Sequence, residues 1–228
     1  DDEYFYFNYD DTEWKVEKTL TRPYFQTSSG IDNLNTYRKL KPNSFVIYPY
    51  INDNGTTRFV DIQSLEHNYP YAFRFLTNYQ SVLEDRNIKP VPETTDEWYR
   101  YGRHQSLEKC DVSEKLVVGV LSQGDKYAID TNHTFISSGG TAGYCMITLP
   151  ENSPYSIYYM QALLNSKYGE WFASLYGEVF RGGFIARGTK VLKKLPIKRI
   201  DFENEQDKAL HDQIALLQYD LIQLQENI

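Results

Sequence analysis

The chain has 228 residues, 41% hydrophobic and 15% aromatic, with 31 acidic against 24 basic side chains and a formal charge of −7. It can therefore bury a core and fold as one large domain. Cys110 and Cys145 lack metal-ligand or disulfide-framework spacing, and no apolar run reaches the roughly 18 to 20 residues that span a bilayer, so a reducing, cytoplasmic protein without membrane or metal is expected.

The opening is acidic and aromatic and reads as if cut from something longer. FYFNY is β-prone, and the acids at 1, 2, 3, 10, 11 and 13 are expected in solvent. A loop-like TSSGIDN follows Pro23. FVIYPYI at 45–51 predicts a buried strand with a hairpin turn into TTRFVDI. From 64 to 86, Phe73, Leu76 and Leu83 recur at helical intervals and predict a helix entered around Pro70. KLVVGVLS and YAID read as short strands, and TFISSGGTAGYCMITL as two strands flanking a glycine turn. SIYYMQALLNSKYGEWFASLY reads as a helix ending near Gly177. This order, without a regular βαβ repeat, predicts an α+β fold with a mixed, mostly antiparallel sheet and flanking helices. In the tail, Leu210, Ile214, Leu217, Leu221, Leu224 and Ile228 step by 4, 3, 4, 3, 4, a heptad seam that needs a partner in this chain or another.

Familiar catalytic motifs are missing. NYPY at 68–71 resembles the base-gripping loop of adenine methyltransferases, but Tyr69 stands where a proline is required. SSGGTAGY lacks the spacing and the lysine of a phosphate-binding loop, and no serine sits in a nucleophile elbow. Nuclease-like pairs drawn from Glu114-Lys115 or from Glu205 with Lys208 lack persuasive spacing. No catalytic residue and no metal ligand is assigned, and a binding module is expected rather than an enzyme.

Charge is distributed unevenly. The stretch FRGGFIARGTKVLKKLPIKRI, 180–200, holds seven of the 24 basic residues and no acid. Cations among glycines can present charge and backbone N–H groups to phosphate, and arginine can fork onto a guanine edge. A second cluster, WYRYGRHQSLE at 98–108, joins Arg100, Arg103, His104 and Gln105 to Trp98, Tyr99 and Tyr101, with Trp98 assigned to the core. The first is also compatible with a solvated basic loop beside a structural strand, and the second with an ordinary helix start over a buried Trp98.

The succession RPYFQ, FVIYPY, YPYAFRFL with LEDR, WYRYGRHQSLE, KLVV, YAID, SGGTAGY, YYMQALLNS, the glycine-arginine stretch and KKLPI resembles the target-recognition domain of bacterial restriction-modification enzymes. It is most similar to the TaqI-like C-terminal specificity domain that follows an adenine methyltransferase in combined type II enzymes. The resemblance covers roughly residues 18–200, and its most specific parts are Trp98 to Gln105, Leu163-Leu164-Asn165-Ser166, and Leu195-Pro196-Ile197 before a long helix.

That resemblance implies a non-catalytic reader of double-stranded DNA over 1–200 and a C-terminal helix over 201–228. By matching position it implies DNA contacts at Arg100, Arg103, Gln105, Gly140, Thr141, Arg181, Arg187 and Lys190, with Lys193 and Lys194 on phosphate. It further implies an upstream methyltransferase or endonuclease domain or subunit, S-adenosylmethionine bound in that missing domain rather than here, and helix-mediated self-association as an option. The alternatives are a protein-interaction subunit acting through its seam, and an unrecognised nuclease.

Overall fold

A computed structural model of the chain describes residues 2–26, 39–53, 56–103, 107–123, 127–136 and 143–227. The chain forms two compact units, Asp1–Tyr24 with Ser44–Asp111, and Phe25–Asn43 with Val112–Ile228.

In the first unit, β1 (Tyr4–Tyr9) and β2 (Thr12–Glu17) form an antiparallel hairpin. Asp10 and Asp11 turn it at φ 49° and 57°, the left-handed pair that a two-residue loop demands and that aspartate tolerates. Strands β3 (Thr21–Phe25) and β4 (Ser44–Ile47) pair antiparallel, as do β5 (Tyr50–Asp53) and β6 (Thr56–Phe59). The single strand expected over 45–51 is thus two, broken at Tyr48-Pro49 where proline offers no N–H to a ladder. Burial falls on Tyr48, Pro49 and Tyr50 and leaves Phe45 exposed.

The helical stretch is three pieces, α1 (Ile62–Asn68), α2 (Pro70–Asn78) and α3 (Gln80–Glu84), with breaks at Tyr69 and Tyr79. Pro70 opens α2, where its missing N–H has no cost. Two carboxylates hold these helix starts. Asp61 accepts from the Ser64 backbone N–H at 2.9 Å and from its hydroxyl at 2.7 Å, bonds that keep its carboxyl below the ordinary range. Glu17 reaches from β2 to accept from the N–H groups of Tyr71 and Ala72 at 2.9 and 3.0 Å. Val16, Leu20, Val60, Leu65, Ala72, Leu76, Trp98 and Tyr99 close the core between hairpin and helices.

In the second unit, β7 (Lys115–Gly119) leads to β8 (Leu121–Ser122), β9 (Ala128–Asp130), β10 (Phe135–Ile136) and β11 (Tyr144–Ile147). The sheet order is β11-β7-β9, all antiparallel, with a parallel bridge from Lys39 to Ile129. Leu116, Val117 and Val118 are fully buried because the central strand is covered on both faces. The helix expected over 156–176 divides into α4 (Ile157–Leu164) and α5 (Lys167–Tyr176). Ser166 caps α5 through its hydroxyl and Gly169 N at 3.2 Å. The close approach of Gly169 to the Leu164 carbonyl leaves no room for a Cβ. Then come β12 (Val179–Phe180), β13 (Phe184–Ala186), which pairs with both β12 and β8, the short α6 (Thr189–Leu192), and α7 (Glu205–Glu226). The architecture is α+β with mixed, mostly antiparallel sheets.

Helix α7 packs on α4 through an unexpected face. His211, Gln218 and Ile222 are its buried residues, while Leu210, Leu217, Leu221 and Leu224 are between 47% and 64% exposed and Ile214 is half-buried. Hydrogen bonds explain the inversion. His211 Nε2 accepts from Ser156 N at 3.0 Å, which places the ring proton on Nδ1, 2.8 Å from Asp212 Oδ1. Gln218 donates to Gln161 Oε1 at 3.2 Å, and Gln161 donates to the Tyr127 carbonyl at 2.9 Å. The seam residues therefore do not close the intrachain packing; their own face stays open.

Candidate nucleic-acid interface

In the first unit, residues 98–103 are held from inside. Tyr99 OH donates to the Val60 carbonyl at 2.6 Å and Tyr101 OH to that of Ile47 at 2.5 Å, while Tyr101 N donates to Tyr50 OH at 2.8 Å. The aromatic residues of this cluster are thus packing groups, Trp98 among them as expected. Burial pushes the Tyr50 phenol up to about 12 and that of Tyr101 well above the ordinary value. Arg100 folds back: Nε lies 2.8 Å from Glu97 Oε2 and its guanidinium 4.5 Å over the Phe59 ring. Arg103 is exposed, with Nη1 donating to the carbonyls of Asn87 at 2.9 Å and Gly102 at 2.6 Å. Arg86, which sequence reasoning had not singled out, clamps the segment by donating from Nη2 to the carbonyls of Trp98 (3.1 Å) and Arg100 (2.9 Å). Its half-burial lowers its pKa, partly countered by Tyr50 and Tyr101. Gln105 lies outside the described residues.

In the second unit, the basic segment splits by burial. Arg181, Lys190, Lys193 and Lys194 are exposed, on the β12–β13 turn, on α6 and just after it. Arg187 is 0% exposed: its backbone N–H donates to the Val120 carbonyl at 2.6 Å, and its guanidinium meets Glu170 Oε2 on α5 at 2.5 Å. Among the described residues its Nε and Nη1 have no hydrogen-bond acceptor within normal geometry. Arg187 also lies against Tyr127, whose pKa burial raises and the guanidinium lowers. Where the resemblance implied a DNA-facing side chain, the structure places one turned into the unit. Lys198 pairs with Asp207 at 3.0 Å, and this bond, with the Asp201 N–H, holds the Asp207 carboxyl below its usual range. Gly140 and Thr141 lie outside the described residues.

A tight glycine turn connects β12 to β13. Gly182 and Gly183 adopt φ 84° and 78°, which side chains resist, and Gly183 N donates to the Phe180 carbonyl at 3.2 Å. The Gln123 amide donates to the Gly182 carbonyl. Lys194 Nζ sits 5.3 Å over the Tyr176 ring. The nuclease-like pairing of Glu114 with Lys115 dissolves, because Lys115 is fully buried and bound to Asp130 at 2.5 Å. Among the described residues no group of three His, Cys, Asp or Glu could hold a metal ion, and no helix is long and apolar enough to cross a membrane.

The TaqI-like C-terminal specificity domain matches residues 61–197, and the chain belongs to that family. A relative, the type II restriction enzyme and methyltransferase RM.Eco57I of Escherichia coli, is 54% identical over 215 residues. The match covers 93% of this chain and 22% of that enzyme, so the chain spans about a fifth of the relative's length.

Proposed function

We propose that this chain is the sequence-reading domain of a restriction-modification enzyme, binding double-stranded DNA while the methyltransferase and endonuclease chemistry, with its S-adenosylmethionine, belongs to other parts of the parent. One observation carries the reading: in an acidic chain of a specificity-domain family, Arg181, Lys190, Lys193 and Lys194 stand exposed on one acid-free segment. Such a cationic strip suits phosphate, whose condensed counterions it would release. Arg103, with Gln105, Gly140 and Thr141, is assigned to base edges; Arg100 and Arg187 are assigned to holding the loops in place. Residues 1–200 carry the reading surface in this account, and 201–228 the docking helix.

The exposed seam of Leu210, Leu217, Leu221 and Leu224 supports a second role, docking onto the catalytic part of the parent or onto a second copy. Sedimentation of the chain alone separates these: a monomer leaves the seam to the parent, a dimer that Leu217→Asp dissociates assigns it to self-association.

The DNA reading is tested by fluorescence anisotropy on duplexes at two salt concentrations. Replacing Lys190, Lys193 and Lys194 with alanine should weaken binding to all sequences and flatten the logarithmic salt slope by about 0.9 per lost phosphate contact. Unchanged affinity and slope would refute the assignment.

A further inference from the structure

The tip of the β12–β13 hairpin has a property that phosphate binding does not use. Val179 is 69% exposed and Phe180 39% exposed, immediately before Arg181 and the Gly182-Gly183 turn. Apolar side chains on a short edge strand are a liability unless something covers them. The hairpin is also braced: β13 is laddered to β8, with Ile185 opposite Ser122, and the Gln123 amide holds the turn at Gly182. Phe180 stands opposite Phe184 across the pair.

Resting on the DNA reading above, we infer that this hairpin is a wedge that enters a duplex and unstacks one base step, with Phe180 as the inserting side chain and Val179 packing beside it. Charge selects the occupant. From 179 to 200 the sequence holds no acid, and Arg181 at the tip, with Lys190, Lys193 and Lys194, is exposed on the same segment, so a polyanion is drawn to the place where the apolar residues stand. One aromatic or aliphatic side chain suffices to part a base step. Arginine beside an apolar wedge is a fitting pair: the cation takes the phosphate while the ring replaces lost stacking.

The test is permanganate oxidation of unstacked thymines in a randomised duplex pool bound to the whole chain, read by sequencing of the cleaved strands. The wild type should give reactive thymines at one position relative to the bound site. Phe180→Ser should lose that reactivity while retaining salt-sensitive binding, Phe180→Leu should keep it, and Arg181→Ala should weaken binding yet leave the reactivity of bound duplexes intact. Circular dichroism of each variant checks the hairpin's unit; if Phe180→Ser unfolds, Val179→Ser, which removes a largely exposed side chain, must reduce the signal. Binding without any reactive thymine, or equal reactivity in the wild type and the serine variants, overturns the wedge and leaves the DNA reading standing. Absence of duplex binding by the wild type overturns both.

Discussion

Replacing Arg187 with methionine separates a structural arginine from a DNA-reading one. The guanidinium is wholly buried against Glu170, and breaking a buried pair by removing one partner costs about 3–5 kcal/mol. Two corrections reduce that figure. The Glu170 side chain is 36% exposed, so its orphaned carboxylate keeps part of its hydration. Among the described residues Arg187 also carries Nε and Nη1 without an acceptor of normal geometry, a desolvation cost that methionine removes. A net loss of about 2 kcal/mol remains, which lowers the melting temperature by about 4–8 °C for a chain of this size. Urea titration and a thermal scan give the stability, and anisotropy in the cold, where the variant is folded, gives the affinity. Arg187→Met should bind DNA within about two-fold of the wild type once the folded fraction is counted. A variant with unaltered melting that loses specific binding would refute the argument and return Arg187 to the DNA.

Other substitutions follow from the same geometry. Lys115→Met strands the Asp130 carboxylate, which also accepts from Thr134 N and Oγ1 and from Asn132 N, and should cost about 3–5 kcal/mol by urea unfolding, with Asp130→Asn in the same chain restoring part of it. Glu17→Ala leaves the N–H groups of Tyr71 and Ala72 without their acceptor and should cost about 1–3 kcal/mol by the same assay. Tyr50 ionises at about 12 in the folded chain because burial disfavours the phenolate, against 10 ordinarily. Its contribution is complete below pH 10 and is lost as pH rises through the folded value, about 3 kcal/mol in all, visible as falling thermal midpoints that coincide with tyrosinate absorbance. Arg103→Ala should reduce discrimination between specific and nonspecific duplexes by about 1–3 kcal/mol, measured by competition.

Much of the local structure was legible in the residues. KLVV and the AID of YAID are strands because β-branched and apolar residues run between turn formers, and Pro70 opens a helix because its fixed φ suits the first turn. What escaped is decided at long range. The heptad of α7 is real as a stripe, but spacing cannot say what covers it, and the buried face was won by His211 and Gln218 through acceptors and donors on α4 and its approach. Likewise Arg181 and Arg187 are alike in composition. A backbone hydrogen bond to Val120, distant in sequence, and a glutamate on α5 turn only the second inward. The tyrosines at 99 and 101 looked equally suited to stacking on bases until their hydroxyls were seen to end on backbone carbonyls.

The central claim, that this chain reads DNA sequence, is tested most directly by selecting bound duplexes from a randomised pool at low and moderate salt and sequencing them. One enriched motif whose binding weakens as salt rises is the expected result. Retention of DNA without enrichment, or no salt-sensitive retention at all, would contradict it.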